Sequence, residues 1–377
     1  MQAKRIRLAA LAGTAVMTLL LGACSKASDT ASPNTPAPTT SSTQVVDSNS
    51  PVQTSDPTEG TDPVAPSDTV QPSNAPVAEL NPSSMSEDPK PLIAILCKGF
   101  NHQFWQAVKA GAEQEAAKLG AQITFEGPAT EAEVEVQIDM LTQALAKKPA
   151  AIGFAALDSQ AAAPLMDKAK AEGIPVIAFD SGVDSDVPLT TASTDNKKAA
   201  AEAAKRMSEL IGGKGKVAMV VQDQTSQSAR DRRDGFIEWI RDNAPGIELL
   251  EPQYGGGDQA KSADIAKSII AANPDLAGIF GSNEGSAVGV VKGVEESGAT
   301  GITVVGFDSG KAQIDAVRSG VMAGAITQNP VGIGEQTVRA AVAAIQGQEL
   351  PEVIDTGYYW YDKSNIDDPK IAAVLYQ

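Results

Sequence analysis

Gly173-Ile-Pro-Val-Ile-Ala-Phe-Asp180 has a counterpart much later in the chain, Gly301-Ile-Thr-Val-Val-Gly-Phe-Asp308. Each is a short apolar, β-branched run that opens on glycine and closes on aspartate. That is the pattern of a strand covered on both faces and leaving for a loop. A second pair lies just upstream: Pro149-Ala-Ala-Ile-Gly-Phe-Ala-Ala-Leu-Asp158 reads like Pro274-Asp-Leu-Ala-Gly-Ile-Phe-Gly-Ser-Asn283. Two successive strand–helix units thus recur at nearly the same offset, which predicts two lobes of one topology. Chance likeness is the competing reading, since Val/Ile runs resemble one another anywhere.

Outward from these units the alternation continues. Apolar runs fall at 92–97, 121–125, 151–156, 175–179, 216–221, 247–250, 276–280, 302–307 and 322–327. Between them lie Ala/Glu/Lys-rich stretches such as 104–119, 134–146, 199–211 and 260–272. Alternating strands and helices argue for parallel sheets with helices on both faces. Residues 91–377 are also more than one hydrophobic core usually serves. The fold class expected is therefore α/β: two similar doubly wound parallel-sheet lobes joined by a hinge.

Asp158, Asp180, Asn283 and Asp308 each stand where an apolar run ends. In open parallel sheets that carboxyl edge is where ligands bind, so two facing lobes would line a cleft with these groups. Helix capping is the alternative, because Asp and Asn favour it, and for Asp158 and Asn283 helix-like sequence follows directly. Asp180 and Asp308 instead lead into Ser-Gly, which predicts a loop.

The chain carries 30 Lys+Arg against 47 Asp+Glu, a formal charge of −17 over 377 residues. Nucleic-acid binding draws on concentrated positive charge, so no nucleic-acid partner is expected. Two cysteines and one histidine, His102, leave no disulfide framework and no Cys/His cluster for zinc. Neither a phosphate loop nor a Gly-x-Ser-x-Gly elbow is present, and an activated nucleophile would have a single imidazole to draw on. A binder rather than an enzyme is expected, with no metal and no cofactor.

The first 90 residues differ from the rest. Lys4, Arg5 and Arg7 precede an apolar run over 8–21 and the small pair Gly22 and Ala23, the layout of a secretory signal over 1–24. The run is short for a spanning helix, which needs about 20 residues. Leu21-Gly22-Ala23-Cys24 resembles the lipobox of bacterial lipoproteins, in which the cysteine carries the lipid; an unused thiol is the alternative. Residues 25–90 hold 11 of the 23 prolines, no aromatic residue, and nine acidic residues against Lys26 and Lys90. Such a segment cannot bury enough apolar area to offset its ordering entropy, and a disordered Ser/Thr/Pro-rich linker is expected.

Lys98-Gly-Phe-Asn-His-Gln-Phe-Trp105, Phe179-Asp180, Ser228 through Phe236, Asn283-Glu284, Val305 through Asp308 and Ala325 through Gln328 together resemble the ribose-type periplasmic sugar-binding proteins of ABC importers. The resemblance runs through essentially all of 91–377, and Phe125-Glu-Gly-Pro-Ala-Thr130 with Lys98 is similar to the autoinducer-2-binding branch. It implies a type I periplasmic-binding-protein fold with lobes of 91–194 plus 329–358 and 195–328 plus 359–377. The ligand-binding residues it implies, with the strand-end reading, are Lys98, His102, Phe104, Trp105, Asp158, Asp180, Ser181, Arg232, Asn283, Asp308 and Gln328. Ser181 replaces the ribose binder's arginine and Gly257 its stacking phenylalanine, which argues against ribose itself. The implied activity is capture of a sugar or sugar-like polyol and delivery to an ABC permease by a monomer at the outer face of the cell membrane, held there only by lipid on Cys24. A sensory sugar or autoinducer-2 binder signalling through a membrane receptor is the alternative.

Overall fold

The structure, a computed structural model, describes residues 90–376. The expected signal, Cys24 and the linker up to residue 89 lie outside the described residues.

The first lobe is built from β1 (Leu92–Leu96), α1 (Gln103–Leu119), β2 (Gln122–Glu126), α2 (Val134–Ala146), β3 (Ala151–Phe154), α3 (Ala163–Ala171), β4 (Val176–Phe179) and β5 (Thr191–Ser193). The chain then enters the second lobe as α4 (Asn196–Leu210), β6 (Gly215–Val221), α5 (Gln227–Asn243), β7 (Ile247–Leu249), β8 (Gln253–Tyr254), α6 (Gln259–Ala272), β9 (Leu276–Gly281), α7 (Glu284–Ser297), β10 (Thr303–Phe307), α8 (Lys311–Ser319) and β11 (Gly324–Gln328). It returns as α9 (Pro330–Ile345) and β12 (Val353–Asp355), then closes with β13 (Tyr358–Asp362) and α10 (Pro369–Ala372). Three short crossings, after β5, β11 and β12, therefore connect the lobes.

The first sheet runs β12-β5-β4-β3-β1-β2 and is parallel throughout. The second runs β13-β11-β10-β9-β6-β7, with β8 also beside β6. It departs from the all-parallel expectation at one edge, where β13 lies antiparallel to β11.

Strand periodicity makes both sheets double-sided. Ile93 and Ile95 of β1 join α1 and α9 in one core, whereas Ala94 and Leu96 join α2 and α3 in another. In β6, Val217, Met219 and Val221 face α4 and α5, and Ala218 and Val220 face α6, α7 and α8. Because successive side chains point to opposite faces, a strand with two covered faces must be apolar at every position. Each large side chain so buried contributes roughly 1.5–3 kcal/mol. Helix pairs approach closely through glycine: a Cβ at Gly111 of α1 would overlap the Val331 carbonyl, and one at Gly334 of α9 the Val108 carbonyl.

Candidate functional site

The sheets bring their carboxyl ends together around a nearly filled cavity of ≈ 10 Å³. Nine of the eleven sequence-predicted residues line it: Lys98, His102, Phe104, Trp105, Asp180, Arg232, Asn283, Asp308 and Gln328. Glu131 lines it too. Lys98 follows β1, Asp180 follows β4, Asn283 follows β9, Asp308 follows β10 and Gln328 ends β11, so both lobes supply walls.

Asp180 and Asp308 close the two repeated runs 173–180 and 301–308, and both stand in left-handed backbone, at φ 57° and 81°. Among the described residues, Lys148 is the one other non-glycine residue with positive φ. Residues held so cluster at functional sites, because the surroundings must impose the conformation. The structure thus repeats the same strained strand end in each lobe.

Asp308 is held on several sides. Its Oδ2 accepts from the Glu284 amide at 2.9 Å and its Oδ1 from Gln328 Nε2 at 2.7 Å, with Arg232 Nη1 at 3.9 Å. Arg232 is 2% exposed although Arg230, Asp231, Arg233 and Asp234 surround it in sequence. Its Nε donates to Asn196 Oδ1 at 2.7 Å and its Nη1 to the Ser282 carbonyl at 2.9 Å, while the guanidinium lies 3.8 Å above the Phe307 ring centre. Lys98 is likewise buried, 3% exposed: its Nζ donates to Ser228 Oγ at 3.0 Å and stands 3.3 Å from Asp180 Oδ2.

Glu131 is the residue that the sequence reading missed. It lies in the loop after β2, and its Oε1 accepts from Trp105 Nε1 at 2.9 Å and faces His102 Nδ1 at 3.5 Å. Its Oε2 accepts from Asn283 Nδ2 of the other lobe at 3.1 Å. A Cβ at Gly257 would come within 2.9 Å of the same oxygen, so the bare glycine leaves room for this carboxylate. Burial opposes its charge, but Lys98 and His102, with hydrogen bonds from His102 and Trp105, hold it well below the usual carboxylate range. The reverse holds for His102. Burial opposes protonation, yet Glu131, Glu284 and the Gly257 carbonyl, 2.9 Å from Nε2, lift it to about 9. Both ring nitrogens then donate. Burial pushes the Asp180 carboxyl up, and Lys98 and Arg232 pull it back.

Two of the eleven stand outside the cavity wall. Asp158 does not reach the cavity; its Oδ1 accepts from the amides of Gln160 and Ala161 at 3.0 and 2.8 Å, so the capping alternative describes it. Ser181 is buried outside the cavity wall, where its Oγ accepts from the Ser228 amide at 3.3 Å. Asn283 does both jobs: Oδ1 caps α7 at Ser286 while Nδ2 faces the cavity. Phe104 also serves twice, lining the cavity and packing edge-on against Trp105 and Tyr376 at 4.9 and 6.1 Å.

Residues 93–349 match the family described as periplasmic binding protein domain. The chain belongs to the periplasmic binding protein family. This binding protein is 28% identical over 268 residues to the D-allose-binding periplasmic protein of Escherichia coli, a match covering 68% of this chain and 86% of that one. Among solved structures, an ABC transporter solute-binding protein from Agrobacterium vitis bound with α-D-tagatopyranose aligns at 34% identity and a TM-score of 0.74, over 76% of this chain and 100% of that one. A second protein from the same organism, with bound D-fucose, aligns at 33% identity and a TM-score of 0.73, with the same coverage. These relatives are named as binding proteins, the two solved ones of ABC transporters, and the two-lobed α/β architecture of the binding protein agrees with that of the solved pair.

Proposed function

We propose that this chain is an extracytoplasmic solute-binding lipoprotein that captures one neutral sugar or sugar-like polyol between its lobes and hands it to an ABC import permease. The observation that carries the ligand class is a pair of buried acceptors in the cavity wall. Gln328 Oε1 has no hydrogen-bond partner among the described residues, and Asp180 Oδ2 has the Lys98 ammonium beside it but no hydrogen bond. Buried acceptors left without donors cost about 1–3 kcal/mol each, and hydroxyl groups supply the missing donors. Three cations, Lys98, His102 and Arg232, face three carboxylates, Glu131, Asp180 and Asp308, which favours a ligand without net charge. Trp105 and Phe104 offer ring surface to the C–H face of a sugar.

A thermal-shift screen of the full-length chain against D-allose, D-ribose, D-tagatose and D-fucose tests this. A binding sugar at a hundredfold excess over its Kd stabilises by about 2.7 kcal/mol. Asp180→Asn and Asp308→Asn, which suit left-handed backbone, should each remove the shift; retention in both would place binding elsewhere. Lipid attachment at Cys24, monomeric state and delivery to a permease belong to the same proposal. Metabolic labelling with a radioactive fatty acid that persists in Cys24→Ala would refute the anchor.

A further inference from the structure

Two helices that face each other across the cleft lack side-chain N-caps of their own. At α1 the N-cap is His102, whose ring is engaged with Gly257 and Glu131 and makes no capping bond. At α8 the N-cap is Gly310, which has no side chain. The first amides of a helix need acceptors, and a negative charge there also meets the positive end of the helix dipole.

Each helix takes its acceptor from the opposite lobe. Glu284 of α7 receives the Gln103 amide on Oε1 at 2.9 Å and the Phe104 amide on Oε2 at 3.0 Å. In return, the Gln103 side-chain oxygen receives the Lys311 amide of α8 at 2.7 Å. A Cβ at Gly310 would stand 3.0 Å from Gln103 Oε1 and 3.1 Å from Glu284 Oε1, so the missing side chain lets both capping groups in. Neither Glu284 nor Gln103 lines the cavity. Glu284 is nonetheless 4% exposed, and burial pushes its carboxyl up, a cost that the His102 charge and the two amide donors offset only in part.

We infer that Glu284 and Gln103 form a reciprocal latch that sets the strength of lobe closure without touching the ligand. Opening takes the cross-lobe acceptor from each helix at once, so the three bonds form and break together, while α8 keeps only its own Gln313 Oε1, which accepts from the Gly310 amide at 3.2 Å. The latch holds whatever the cavity takes, so its failure would leave the sugar reading untouched, and the reverse.

Hydrogen exchange at single amides, followed by NMR on the ligand-free full-length chain, reads the latch directly. In the wild type the Gln103, Phe104 and Lys311 amides should exchange well below unprotected rates. Glu284→Ala should speed Gln103 and Phe104 about tenfold, and also Lys311, although the Lys311 acceptor is untouched. Gln103→Ala should likewise speed Phe104, whose acceptor remains. Gly310→Ala, at a backbone angle that alanine tolerates, should speed all three and serves if Glu284→Ala fails to fold. The inference is overturned if each variant deprotects only the amide whose own acceptor was removed, or if the wild-type amides exchange at unprotected rates.

Discussion

His102 is the one histidine in the chain, so its imidazole protons give a single resolvable titration by NMR. The perturbation is Glu131→Gln, which keeps the shape but removes the charge 3.5 Å from His102 Nδ1. The ring is 2% exposed, and burial alone would lower its pKa from the ordinary 6.5; the site instead raises it to about 9. At 1.36 kcal/mol per unit, that rise corresponds to about 3 kcal/mol of preference for the protonated ring. The sign follows from linkage. A raised pKa contributes stability that is fully present below pH 6.5 and is lost as pH rises through about 9. The wild-type ring should therefore titrate near 9, and Tm should fall between pH 7 and 9.5. In Glu131→Gln the inflection should drop back toward 6.5 and the loss of Tm should flatten. A wild-type inflection near 6.5, or a variant that titrates like the wild type, would refute the buried pair.

Other substitutions probe different parts of the frame. Arg232→Lys loses the fork that reaches Asn196 and the Ser282 carbonyl and the stack on Phe307, so sugar-induced stabilisation should vanish and urea unfolding should show a loss of roughly 1–3 kcal/mol. Gly334→Val drives a side chain into the Val108 carbonyl between α9 and α1; chemical denaturation should record about 1–3 kcal/mol of destabilisation, with the His102 titration unmoved. Gly257→Ala puts a Cβ at φ 67° and 2.9 Å from Glu131, so a loss of about 1–2 kcal/mol should accompany a lower His102 pKa.

All nine apolar runs read from the sequence are strands, because buried parallel strands must be apolar at every position and that signal is local. The strands that escaped carry weaker signals. β5, β8 and β12 are two or three residues long, too short for any period to register. β13, Tyr358-Tyr-Trp-Tyr-Asp362, does have the aromatic composition of a strand, but it pairs antiparallel at an edge, outside the repeating strand–helix pattern. At the site, strand ends were legible because the fold fixes where they point. Glu131 was not: it is one of two glutamates in a short loop, and its partners Asn283 and His102 lie far from it in sequence. Asp158 and Asn283 looked alike as letters, and only packing against the other lobe separates a cap from a cavity wall.

The left-handed backbone at Asp180 and Asp308 restricts which residues can stand at those two positions. Aspartate, asparagine and glycine tolerate that conformation, while most other side chains would forfeit folding energy at both places. Under the proposed sugar-binding role, a change of ligand falls to neighbours with ordinary backbone, such as Lys98, Glu131 and His102, while positions 180 and 308 stay within that short list of residues.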